Sequence, residues 1–128
     1  MNNQMIEKLQ FNEIKEEVKK RAIGQYTKER IEQTTVQTNL QTVQVWQIET
    51  KEARMILESN QHVPFMGLSR IGYLTDQVKK GLILAPADLV EYADFLRSSR
   101  MITKFFEKNQ YQTPTLHAVS YTHLRAHE

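Results

Sequence analysis

Apolar residues recur along this chain every three or four positions, the spacing that lines one face of a helix, and the hairpin dipeptides Asn-Gly and Asp-Gly never occur. An all-α fold is expected. Ile6 and Leu9 lie on a different helical face from Phe11, Ile14, Val18 and Ala22, so the stripe changes phase near residues 10–12 and two helices are predicted. Asn12 is the expected N-cap of the second, with Glu13 favoured by the dipole, and Gly24 suits a left-handed C-terminal cap. A further helix is predicted over about residues 27–33. Thr38 or Asn39 can cap a long one whose stripe is Val36, Leu40, Val43, Trp46, Thr50, Ala53 and Leu57, ending near Ser59-Asn60.

Residues 61–67 carry Pro64 and Gly67 and read as a loop, with Phe65 and Met66 expected to dip toward the core. A helix over about 68–80 follows, stopped at Gly81, with Lys79 and Lys80 complementing its negative end. Pro86 opens the last helix, with Asp88 and Glu91 in or near its first turn, and this helix is predicted to run to about Lys108. Its apolar residues Leu89, Tyr92, Ala93, Phe95, Leu96, Ile102 and Phe106 span about half the circumference, which suits more than one packing neighbour. The helices over about 39–58 and 86–108 are expected to pack together and to bury Trp46 and Leu96.

The ten residues from Val119 to Glu128 are similar to the translation of a transposon-end adaptor used in shotgun sequencing libraries. Two further adaptor bases would complete the codon of Ala118. The natural chain is therefore expected to stop being readable near His117, leaving residues 1–118 as an incomplete helical region and 119–128 as a non-native tail that is poorly ordered or loosely attached. The spacing of His117, His123 and His127 would otherwise suit zinc, two imidazoles four apart on one helical face, but two of the three fall inside that tail. No metal site is expected. His62, alone in a loop, is assigned no role.

Composition adds mainly exclusions. A length of 128 residues suits one domain or part of one, 40% hydrophobic and 25% charged residues are ordinary for a folded chain, and no apolar run approaches a membrane span. Without cysteine there is no disulfide scaffold and no thiolate chemistry. The start, MNNQMIEKLQ, lacks the apolar core of a signal peptide, so a cytoplasmic location is expected. Neither a P-loop, a dinucleotide-binding glycine pattern nor a nucleophile elbow occurs. Most candidate carboxylates have a basic residue at helical spacing: Glu16 has Lys20, Glu17 has Arg21, Glu32 has Lys28 and Asp94 has Arg97. Glu29 and Glu91 lack one. Catalytic, cofactor-binding and metal-binding residues are accordingly expected to be absent.

Arg97, Arg100, Lys104 and Lys108, at offsets of three, four and four, form one stripe of the last helix beside its apolar face. Such a row can track a phosphate backbone, and it is also what the solvated side of an amphipathic helix presents near its C-terminus. A formal net charge of only +2 means that any nucleic-acid partner must be argued from where these charges sit.

The segment from Leu9 to Phe106 resembles the N-terminal region of the MutS-two family, bacterial relatives of the mismatch-repair MutS ATPases that lack the mismatch-reading domain. The pieces that carry the likeness are Leu9-Gln10-Phe11-Asn12-Glu13-Ile14, Asn39-Leu40 leading to Glu49-Thr50-Lys51-Glu52-Ala53, and Pro64-Phe65-Met66-Gly67-Leu68. Residues 80–89 (KGLILAPADL) follow, then Leu96-Arg97 and Arg100. The chain departs from the pattern at Gln33-Thr34-Thr35-Val36, where the family often has proline, and at Asn39, where it usually has an acidic residue. The resemblance implies a homodimeric parent with a helical core and lever, a P-loop ATPase using ATP and Mg, and usually an Smr nuclease domain. Such parents are DNA-binding and ribosome-associated, with roles in suppressing recombination and rescuing stalled ribosomes through rRNA contacts. This stretch is then scaffold that works with the remainder of the parent chain, without catalytic residues, away from membranes. Periodicity alone leaves two other readings open, a stand-alone helical interaction module and a weak nucleic-acid binder using the basic stripe.

Overall fold

A computed structural model describes residues 2–125. Among them the order is α1 (Asn3–Lys8), α2 (Phe11–Arg21), α3 (Gln25–Gln33), α4 (Leu40–Glu58), α5 (Ile71–Lys79), α6 (Pro86–Lys108) and α7 (Pro114–Arg125), with no strand. The fold is all-α. Contacts divide the chain into two compact units, Met1–Gln37 with Leu68–Leu89 and Thr38–Gly67 with Val90–Glu128.

In the first unit the Asn2 side chain caps α1 by accepting the Met5 N–H at 2.9 Å, and α2 packs against both α1 and α3. The cap of α2 is Gln10, in a left-handed conformation at φ 54°, so Asn12 lies one turn position inside the helix instead of capping it. Lys15 donates from Nζ to the carbonyls of Glu32 and Thr34 at 2.8 and 3.2 Å, placing a cation on carbonyls that the end of α3 leaves without helical donors. Leu74 of α5 is fully buried. Gly24 is extended (φ −102°, ψ 149°) and precedes α3; it does not form a left-handed end to α2. What favours glycine there is space, since a Cβ would stand a tight 3.1 Å from the Leu68 carbonyl oxygen. Gly81 does take the expected left-handed conformation, at φ 71°, just after α5.

In the second unit Asn39 caps α4, its Oδ1 accepting the Thr42 N–H at 3.0 Å as an aspartate would. The buried positions on α4 are Glu52 and Ile56, and on α6 they are Ser98 and Phe106. Those positions explain why Trp46 and Leu96, expected to be buried, are 42% and 44% exposed. Trp46 precedes Glu52 by nearly two turns, outside the covered C-terminal half of α4, whose near neighbour is α7. Leu96 stands two residues before Ser98, about 160° around the helix from it. The inward direction of α6 is thus marked by a serine.

That serine fastens residues 61–67. Ser98 is 1% exposed; its hydroxyl accepts the Met66 N–H at 3.0 Å and donates to the Pro64 carbonyl. The loop is held by its backbone, so Phe65 and Met66 remain exposed and do not dip inward. Gly67, at φ 67°, brings its Cα against α6, where an added Cβ would meet the Phe95 nitrogen at 2.6 Å and the Glu91 carbonyl oxygen at 2.7 Å. Replacing Ser98 by alanine strands the Met66 N–H in a dry site and is expected to lower stability by about 1–3 kcal/mol in urea denaturation.

α7 begins where three polar groups converge. The buried Thr113 donates from its hydroxyl to the Asn109 carbonyl at 3.1 Å, while Asn109 Nδ2 returns to the Phe105 carbonyl at 2.8 Å. Across the unit, the Glu52 carboxylate, 5% exposed, accepts the backbone N–H of Thr115 at 3.1 Å and of Leu116 at 2.8 Å. These are donors that a first helical turn leaves orphaned. Residues 119–125, expected to be poorly ordered or loosely attached, are not irregular: they continue α7 as helix.

Candidate nucleic-acid interface

α6 positions all four residues of the basic stripe, and all four are exposed. They do not share one electrostatic state. Arg97 donates from Nη1 to Asp94 Oδ1 at 2.9 Å, the pairing its spacing predicts. Arg100, Lys104 and Lys108 make no ion pair among the described residues, and Glu107 at the edge of the row makes none either. The helix under them is anchored on its other side by Ser98 and Phe106. Phe106 is held in turn by the Phe105 ring, edge to face at 5.3 Å between centroids.

The remaining carboxylates sort into surface pairs, with partners that differ from those expected at two positions. Glu16 meets Lys19 at 3.0 Å and not Lys20; Glu32 meets Lys19 at 2.8 Å across from α3 and not Lys28. Glu17 pairs with Lys20 at 2.6 Å as well as with Arg21 at 3.1 Å. Glu29 accepts a hydrogen bond from Gln25 Nε2 at 3.2 Å. The differences share a cause: Lys19 points at the C-terminal end of α3, where it serves two carboxylates on two helices, a contact that spacing within one helix cannot foresee.

Hydrogen bonds from Lys20 and then Arg21 hold the Glu17 carboxyl below the ordinary glutamate range, Lys19 does the same to Glu32, and Glu32 followed by Glu16 raises Lys19. For the depressed glutamates the contribution to stability is complete at neutral pH and is lost as pH falls through their lowered values. For Lys19 it is complete below the ordinary lysine value and lost as pH rises through the raised one. These groups are open to solvent, so the effect is small and screened by salt. NMR titration should give midpoints for Glu17 and Glu32 lower than those of the same residues in the urea-unfolded chain, with the difference shrinking in about 1 M salt.

A depression of about 340 Å³ on α2, lined by Gln10, Glu13, Ile14, Glu17, Val18 and Arg21, is formed by one helix and its cap and encloses nothing. His62 is exposed. His117 lies 6.5 Å from the Tyr121 ring, between centroids, whereas the rest of the three-histidine spacing falls wholly or partly outside the described residues. No group of three or more histidine, aspartate or glutamate side chains is placed to hold a metal among the described residues. No helix among them is long and apolar enough to cross a membrane. The residues that sequence reasoning passed over are Glu52 and Ser98. Both look like solvated positions in a helical pattern; Glu52 lies inside the family-like piece 49–53, whereas Ser98 falls between Arg97 and Arg100 and carries no signal of its own. Both use their polar atoms for architecture. Chemically, the stripe is a cluster of exposed cations that could meet a polyanion.

Comparison with known proteins points the same way as the motifs. The chain is 32% identical over 123 residues to the endonuclease MutS2 of Clostridium beijerinckii, a match covering 94% of this chain and 16% of that protein. It is 32% identical over 120 residues to endonuclease MutS2 of Symbiobacterium thermophilum, with 94% and 15% covered. For the Clostridium tetani protein of the same name the figures are 30% over 114 residues, 89% and 14%. The chain thus spans about one-sixth of the length of these relatives. No family model matches it, and no solved structure gives a significant match.

Proposed function

Because the chain is a MutS2 homologue over nearly its whole length, we propose that it is the N-terminal helical scaffold of a longer cytoplasmic ATPase and endonuclease that acts on DNA and on stalled ribosomes. ATP, Mg and the nuclease chemistry belong to parts of the parent outside these residues, and the parent is a homodimer. The observation that carries this reading is the match itself, which takes in 94% of this chain and only 16% of the relative. The surface agrees. Leu40, Val45 and Ile48 on α4 and Leu89 and Val90 on α6 are exposed, and Ile83 is 99% exposed, an amount of open apolar surface that suits a piece covered by further helices of its own parent.

The test is to read the gene onward. A P-loop pattern several hundred codons downstream, preceded by codons that replace the adaptor-like string at 119–128, is the expected result. The purified 128-residue chain should neither hydrolyse ATP nor cleave labelled DNA or RNA. An open reading frame that closes with the tail and has no P-loop, or turnover that survives stringent purification, overturns the reading in favour of an independent module.

A further inference from the structure

We propose that Arg100, Lys104 and Lys108 form a rail that grips the phosphate backbone of double-stranded DNA, with Arg97 kept out of it by Asp94. This deepens the scaffold reading and rests on it for the presence of a nucleic acid near the chain.

Three features of α6 carry the proposal. The first is placement. Three cations at intervals of four residues occupy about 12 Å of helix and an arc of about 80°. The direction of Ser98 and Phe106, the buried side, lies about 160° away, so the rail faces outward from a helix fixed on its opposite face. The second is availability. Arg97 already spends its guanidinium on Asp94 at 2.9 Å, whereas the other three have no ion-pair partner among the described residues and sit in the C-terminal half of α6, where the helix dipole favours positive charge. The third is the match to the occupant. One strand of a duplex presents a phosphate every 3.4 Å of axis, so about 12 Å of helix faces three to four phosphates. Single strands are gripped largely by stacking on aromatic platforms, and α6 offers none along the rail. Its aromatic residues pair with one another, Phe105 with Phe106 and Tyr92 with Phe95, away from the three cations. Glu107, at the edge, is the carboxylate that opposes the anion.

With three phosphates neutralised, the plot of log K against log salt for a duplex should have a slope of about −2.7, and binding should fall in the weak, sequence-independent class. The experiment is fluorescence anisotropy of a labelled duplex of about 20 base pairs, titrated with the purified chain over a salt series, with circular dichroism of each variant as the control for folding. R100Q/K104Q/K108Q is expected to weaken binding at least tenfold at low salt and to remove most of the slope. Removing the ion pair as a whole, D94N/R97Q, should leave both unchanged, and E107Q should tighten binding. The proposal is overturned if the triple variant keeps the slope, if D94N/R97Q weakens binding as much as the triple variant does, or if a single strand of equal length binds as tightly as the duplex. A polyglutamate peptide that binds as well as DNA overturns it in favour of an acidic protein partner. A gene without a downstream P-loop would remove the scaffold reading and leave the measured slope standing, so the two can fail separately.

Discussion

Gly67→Ala should destabilise the second unit by about 3 kcal/mol or more, enough to unfold a marginal domain at room temperature. Two costs add. The new Cβ would sit 2.6 Å from the Phe95 nitrogen and 2.7 Å from the Glu91 oxygen, both backbone atoms of one helix that cannot swing aside, so the loop itself must lift. The φ of 67° is also a conformation that an L side chain occupies at a cost of order 1–3 kcal/mol. Lifting the loop would pull the Met66 and Pro64 backbone groups off Ser98, so loss of the clamp and loss of the glycine are coupled and should be less than additive in a double variant. Gly72 is the internal control. It lies inside α5 with nothing within 4 Å of an added Cβ, and Gly72→Ala should stabilise by about 0.5–1 kcal/mol. Urea denaturation followed by circular dichroism measures both.

Glu52→Ala should cost about 3 kcal/mol, because it strands two N–H groups at the start of α7 that now share a buried carboxylate. The loss is expected to appear first as reduced helical signal, since α7 loses its anchor while α4, capped independently by Asn39, keeps its own. Glu52→Gln separates charge from shape. The amide retains one oxygen to accept a donor but turns an NH2 toward the other, so about half the loss is expected. A glutamine variant as unstable as alanine would mean that the charge at the helix start dominates. One as stable as the parent would show that these hydrogen bonds contribute little.

The elements were easiest to read where one residue type has one physical use. Pro86 can open a helix and Gly81 can end one, so α6 and the end of α5 stand where the sequence places them. Asn39 caps α4 for the same kind of reason. The basic stripe was equally legible, because offsets of three and four residues fix a helical face whatever the helix packs against, and even the Asp94 to Arg97 pairing follows from spacing. The inward faces were not. Sorting positions by apolarity aims α6 by Leu96 and α4 by Trp46, whereas the packed direction is set by Ser98 and Glu52, polar residues whose burial depends on donors and acceptors more than thirty or sixty positions away. Gly24 shows the same limit on a smaller scale, since its need for space comes from Leu68, a residue remote in sequence.

The anchoring of α7 settles its fate before its own sequence is consulted. Nucleation is the expensive step of helix formation, and here Thr113, Pro114 and the Glu52 carboxylate complete it by residue 116, upstream of the adaptor-like residues. Whatever is spliced on after that point inherits a running template and needs only tolerable propensity to extend it. Should residues 119–128 prove foreign, their first seven positions are helical by inheritance, and a reading frame that runs into adaptor would yield a tidy helical stub whose regularity says nothing about its ancestry.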